Sequence, residues 1–263
     1  MKTIVFANNK GGVGKSTSAV AVAWQLSQLN KGRVLLIDLD DQGNTTETAG
    51  GTRDHAGITE LLLSPTKAAA FRATYTQELN PNLDLCGASN SFADHQDQLS
   101  EAKHPERQLR DKLKHVASLY EYVIVDCPPA LNNMNYNAFV AADWFVAVAE
   151  PEPLAKFGID RIMDIAENLR HNKENPRLQC AGILFTRYNP NERGRVRQEV
   201  VSVTFTDYGE ALRLPTIRRD SAVLEAQANG VPLPVHAPTS RAALDYQELA
   251  LALATKVQNA PSN

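Results

Sequence analysis

Lys10 and Lys15 stand five residues apart in the run Asn9–Thr17, which reads NKGGVGKST. Glycines fill positions 11, 12 and 14. Without a Cβ they let successive backbone N–H groups turn inward on an anion. A lysine at the end of such a loop reaches outer phosphates, and a following serine hydroxyl suits Mg²⁺. The candidate polyphosphate contacts are therefore Gly11, Gly12, Val13, Gly14, Lys15, Ser16 and Thr17, with Ser16 as the metal ligand. The usual spelling G-x-x-x-x-G-K-[ST] asks for glycine where this chain has Asn9. Lys10 reads better as a second cation for a polyphosphate than as a stray solvated charge.

A bound triphosphate needs a metal and an aligned water. Asp38 and Asp40 follow the aliphatic run Val34–Ile37, and two-residue spacing points both carboxylates the same way on an extended chain. Asp126 closes a second apolar run, Tyr122–Val125. One acid after a strand is commonly a helix cap. Three of them downstream of a phosphate loop point instead to metal and water positioning.

The elements that must place these residues alternate. Ile4–Phe6, Val34–Ile37, Leu83–Cys86, Tyr122–Val125, Trp144–Val148 and Ala181–Phe185 read as strands. Helical spacing of apolar residues follows Ser16, spans Ala155–Arg170, and recurs over Ser240–Val257. Pro105–Leu119 reads as a helix with proline near its start, and Leu214–Ile217 as a late short strand. The stretch from Thr45 to Leu79 is the least regular, with an Ala/Thr-rich, mobile-looking part after Ile58–Leu63. Near-continuous apolar strands separated by helices predict an α/β fold, a doubly wound, mostly parallel sheet with helices on both faces. Ligands of such sheets gather at the carboxyl ends of the strands, where all three motifs fall. The 263 residues suit a single nucleotide-binding domain, with a frayed tail from about 258.

KGGVGKST resembles the deviant Walker A motif of the ParA/MinD family of ATPases. The resemblance extends through LLIDLDDQGNTT and DCPPAL and loosely over most of the chain. It implies that Lys10 reaches the nucleotide of a second subunit, so that ATP holds a homodimer face to face. It also implies catalytic roles for Lys10, Lys15 and Asp40, with Asp40 aligning the attacking water, and Mg²⁺ contacts for Ser16, Asp38 and Asp126. Asp41 stands where proline is usual, which makes the first switch more acidic and less rigid. The acidic stretch from Glu150 to Pro153, with Gly158 beyond it, resembles the family's dimer face, and an acidic strand-to-helix loop is an equal reading. Thr186 and Pro215 are the implied base contacts.

Seven arginines between 187 and 219 face four acids, and seven minus four leaves +3 in a chain of net charge -3. Arg193, Arg195, Arg218 and Arg219 are the candidates for sequence-independent phosphate contacts with DNA. A solvated helix face is the competing reading of such a run. Three cysteines without C-x-x-C spacing read as buried thiols of a reducing compartment. No apolar run approaches 18 residues, so a membrane span is not expected and the cytoplasm is; the resemblance implies no membrane partner and places the protein on the nucleoid.

The resemblance thus implies a small partition-type ATPase using ATP and Mg²⁺, for DNA segregation or cargo positioning. Its expected partners are itself, non-specific DNA, and a centromere-binding or cargo adaptor protein that stimulates hydrolysis. The alternatives are an ATP-switched scaffold that does not act on DNA and, against the loop and switch sequences, a metabolic ligase.

Overall fold

The aliphatic runs become strands because each is covered from both sides. All five residues of β2 and of β5 are buried, as are the last five of β1. The computed structural model describes residues 1–29, 32–64, 68–101, 104–129, 132–191 and 195–259. Its strands are β1 (Lys2–Ala7), β2 (Val34–Asp38), β3 (Gln77–Asn80), β4 (Leu83–Cys86), β5 (Tyr122–Asp126), β6 (Trp144–Ala149) and β7 (Gln179–Phe185). They form one sheet in the order β3-β4-β2-β5-β1-β6-β7, parallel except for the edge strand β3. The mostly parallel, doubly wound sheet expected from the pattern is present.

Alternation along each strand divides the core in two. Val5, Ile37, Val125, Phe145 and Ile183 face one layer, which holds residues of the helices Ile58–Leu63, Gln108–Lys114, Asn133–Ala141, Ala155–His171 and Arg195–Tyr208. Ile4, Phe6, Leu36, Ile124 and Val146 face the other, closed by the helices Lys15–Gln28 and Arg241–Gln258. Those two helices pack together, and Ser18 meets the buried Tyr246 hydroxyl at 3.1 Å. Ser240 caps the last helix by accepting from the Ala243 N–H at 3.3 Å.

β1 lies between β5 and β6, so the chain leaves it toward β2 on one side and later returns beside it as β6 on the other. The loop after β1 opens above the carboxyl ends of β2 and β5, which carry Asp38 and Asp126 paired across the strands.

Three expectations need correction. Pro105–Leu119 is not one helix: a 3₁₀ turn at Pro105–Arg107 precedes the helix Gln108–Lys114, and tight turns follow, with the Leu119 N–H reaching Val116 O at 2.9 Å. Leu214–Ile217 is not a strand. Arg213 and Ile217 each make one isolated bridge to the β7 side, and Pro215 between them has no N–H to give. The Ala/Thr-rich stretch is not irregular where described: it forms a helix, Ala68–Tyr75, running into β3.

That last segment is anchored by charge. Asp84 of β4 is fully buried and accepts from Arg72 Nε at 2.7 Å, Arg33 Nη2 at 3.2 Å and Tyr120 Oη at 2.8 Å. Glu78 of β3 pairs with both arginines as well.

Candidate functional site

Gly12 and Gly14 take φ values of +73° and +91°, a left-handed backbone that only glycine enters without strain. Gly14 also lies under Thr186, whose Cγ2 would stand 3.3 Å from an added Cβ. The loop then passes into a 14-residue helix, whose free N–H groups and dipole face the loop's mouth. Lys15 curls back beneath it and donates to the Lys10 carbonyl at 3.0 Å. Burial lowers the pKa of this ammonium, and the nearby charge of Asp126 works against that. A cavity of about 450 Å³ opens here, lined by Gly11, Gly12, Gly14, Lys15, Ser16 and Thr17 together with Asp40.

The two strand-end carboxylates are both fully buried. Asp38 is committed to the loop beyond it: its Oδ2 accepts from Thr46 N at 2.8 Å and Thr46 Oγ1 at 2.7 Å, and its Oδ1 from Asp40 N at 3.1 Å. Asp126 Oδ2 accepts from Thr45 Oγ1 at 2.7 Å, while its buried Oδ1 has no hydrogen-bond partner among the described residues. Burial drives both pKa values up, and for Asp38 the neighbouring Asp126 charge adds to it. Ser16 and Thr45 hydroxyls and the Lys15 charge oppose the rise at Asp126.

An unpartnered buried oxygen beside a second buried carboxylate, under a serine hydroxyl, is a donor set with room for a cation. No group of three or more His, Cys, Asp or Glu side chains forms a metal cluster among the described residues. Such a site suits Mg²⁺, which takes one or two carboxylates at most and completes its shell with phosphate and water. Ser16 and Asp126 would hold it, with Asp38 bracing the adjoining loop.

Asp40 lines the phosphate cavity and is 6% exposed, with Gln42 N donating to its Oδ1 at 3.1 Å. Burial raises its pKa as well. At Asp41, which stands where the resembled family usually has proline, Arg53 holds the backbone. It donates to the Asp41 carbonyl at 2.7 Å and the Gln42 carbonyl at 3.0 Å, restraining the turn from outside.

Lys10 does not line this cavity. Its ammonium pairs with Glu152 of the same chain, in the loop after β6. The helix behind that loop packs directly on the phosphate loop. A Cβ on Gly158 would come within 2.8 Å of the Asn8 side chain and 3.0 Å of Asn9.

A second cavity of about 420 Å³ adjoins the first and is lined by Gly14, Thr17, Thr186, Ile217 and Tyr246 among others. Thr186 reaches it but donates its hydroxyl to the Val13 carbonyl at 2.7 Å, so it braces the phosphate loop too. Pro215 lines a different cavity with Arg213, Arg218 and Arg241, and is not brought to Thr186's. Residues that sequence reasoning passed over include Gln227, which donates to Thr17 Oγ1 at 2.9 Å, and Tyr246. Both come from distant helices with no local motif to mark them.

The arginine-rich segment is largely spoken for. Arg187 and Arg197 pair with Glu150, Arg213 with Glu210, and Arg218 makes a bidentate pair with Asp245 at 2.6 and 3.0 Å. Arg195 and Arg219 are exposed, and Arg193 lies outside the described residues.

A family model described as "AAA domain" matches residues 1–180. The chain is 35% identical over 261 residues to the chromosome-partitioning ATPase Soj of Thermus thermophilus, covering 99% of this chain and 98% of that protein. Its fold superposes on apo McdA from Cyanothece with a TM-score of 0.83, at 22% identity over 98% and 99% of the two chains; that likeness speaks for the fold. It also matches the cobyrinic acid a,c-diamide synthase of Mycobacterium smegmatis, crystallised with an ATP analogue and magnesium, at a TM-score of 0.80 and 26% identity over 98% and 96%. With the loop, its two lysines and the buried carboxylates in place, this chain belongs to the ParA/MinD family of deviant Walker A ATPases.

Proposed function

We propose that this protein is an ATP-driven partition or positioning switch. ATP binds with its phosphates in the glycine loop, and two chains close face to face over their nucleotides. The dimer holds DNA without sequence preference, and hydrolysis stimulated by an adaptor protein releases it. Its place of work is then the nucleoid, in the cytoplasm. The observation that carries the reading is the division of labour between the lysines. Lys15 lies in the cavity of its own loop, and Lys10 points away from it to an exposed acid. An amine on the rim, held by a weak surface pair, is free to serve a second chain.

Within one subunit the roles follow from position. Lys15 and the loop N–H groups neutralise charge on the phosphates. Ser16 and Asp126 would hold Mg²⁺, which would supply positive charge to offset that of the phosphates. Asp40 orients the attacking water from the rim of the cavity. Among the described residues no helix is long and apolar enough to cross a membrane.

Sedimentation and gel-shift measurements with Mg²⁺ and a slowly hydrolysed ATP analogue test the proposal. The expected result is a dimer that retains plasmid DNA in a salt-sensitive way, and a monomer without nucleotide. A second reading, a switch that recruits proteins and not DNA, draws support from the internal pairing of Arg187, Arg197, Arg213 and Arg218. Dimerisation without DNA retention at any salt concentration would select it.

A further inference from the structure

Arg187 has a set of relationships that the loop motifs do not account for. It follows Thr186 at the end of β7 with φ = +51°, a left-handed backbone that a residue with a long side chain adopts only when its surroundings hold it there. The phosphate cavity and the adjoining cavity meet at three residues, Gly14, Thr17 and Arg187. Of these Arg187 alone carries charge. For a nucleotide with its phosphates in the loop and its base in the second cavity, that junction is where the ribose and the α-phosphate lie.

The guanidinium is held at this junction by Glu150, at 3.2 Å. Glu150 directly follows β6 and is 9% exposed, so it cannot be left without a cation cheaply. A second arginine removes that obstacle. Arg197, on the helix Arg195–Tyr208, lies 3.6 Å from the other Glu150 oxygen and donates to the Arg187 carbonyl at 2.9 Å. One arginine can therefore leave the carboxylate while the other keeps it paired, and the hydrogen bond to its carbonyl leaves the Arg187 backbone in place.

We propose that Arg187 is a nucleotide-contacting residue, handed from Glu150 to the ribose–α-phosphate region of a bound nucleoside polyphosphate while Arg197 keeps Glu150 paired. This rests on the nucleotide-binding reading of the site. It also gives the arginine-rich helix a direct link to nucleotide occupancy, because Arg197 changes from sharing Glu150 to holding it alone.

Titration calorimetry on the full chain with Mg²⁺ plus ATPγS, ADP or adenosine tests it at low and high salt. Arg187→Ala should weaken ATPγS and ADP about 10- to 100-fold, the loss of one charge-assisted contact, and weaken adenosine, which lacks the α-phosphate, far less. Arg187→Lys should restore part of the affinity. Glu150→Gln, which removes the competitor, should tighten ADP several-fold, and should also offset the weakening caused by Arg197→Ala. A folded Arg187→Ala that binds ADP within twofold of wild type with the same salt dependence overturns the assignment. So does a Glu150→Gln protein with unchanged affinity, which keeps the test decisive if Arg187→Ala does not fold. A wild-type chain that binds none of the three ligands would instead overturn the nucleotide reading of the whole site.

Discussion

The ammonium of Lys10 is paired with the carboxylate of Glu152 in the same chain, although each side chain is about half open to solvent, at 52% and 40% exposure. In the proposed dimer this pair breaks before Lys10 reaches the second subunit. A surface ion pair is worth up to about 1 kcal/mol, so it biases the equilibrium and does not lock it. Glu152→Gln should lower the nucleotide concentration for half-maximal dimerisation by up to about fivefold. Lys10→Ala should abolish nucleotide-dependent dimerisation while leaving the monomer's nucleotide affinity near wild type. Sedimentation velocity with an ATP analogue reads both; a Lys10→Ala protein that still dimerises would sink the two-lysine reading.

Asp40 sits at the rim of the phosphate cavity and Asp38 beneath it, so their substitutions should separate. Asp40→Ala should cut phosphate release by about 100-fold or more, the usual worth of a positioned acid–base group, with nucleotide affinity retained. Asp38→Ala frees Thr46, loosens the switch loop, and should lower the melting temperature as well as activity. Equal effects of the two on thermal melting would contradict these positions.

Asp38 and Asp126 carry raised pKa values because burial disfavours their charge, with mutual repulsion adding at Asp38. In the folded chain they bind protons that the unfolded chain has already released. Their contribution to stability is therefore full below the ordinary carboxylate range and is lost as pH rises toward neutrality. Melting of the nucleotide-free protein should show lower stability at pH 7.5 than at pH 5.5 from this source, and the gain from Mg²⁺ plus ADP should grow with pH. Differential scanning calorimetry of wild type beside Asp126→Asn isolates it: the Asn protein should lose most of the pH-dependent gain.

Asp84 has the opposite sign. Burial alone would raise its pKa, but hydrogen bonds from Arg72, Tyr120 and Arg33 outweigh it and the net shift is downward. Its stabilisation is present at neutral pH and lost as pH falls through the folded-state value. Asp84→Asn should cost about 3 kcal/mol in a urea melt, as breaking a buried pair does, and should loosen the helix Ala68–Tyr75 and β3 first. Hydrogen exchange confined to other regions would show that the network does not hold that edge.

Local chemistry wrote much of this protein into its sequence. The glycine loop takes φ > 0 at Gly12 and Gly14, and Gly14 lies close beneath Thr186; glycine is the residue that meets both demands without strain, so the loop is visible as letters. Strands buried on both faces must be apolar throughout, so β1, β2, β5, β6 and most of β7 were legible within a residue or two, as were the acids that end them. β4 was fainter because Asp84 interrupts its apolar run, and that acid is tolerable only through arginines 12 and 51 residues away in the chain. Pro215 was implied as a base contact by the resemblance alone, and in the structure it lines the cavity of Arg213 and Arg241, not that of Thr186. Which arginines are free, which partner Lys10 holds, and that Arg187 stands where two cavities meet were decided by tertiary structure alone. Ion pairs and cavity walls join residues by distance in space, and no spacing rule along the chain encodes a contact between β6, β7 and a helix that starts at Arg195.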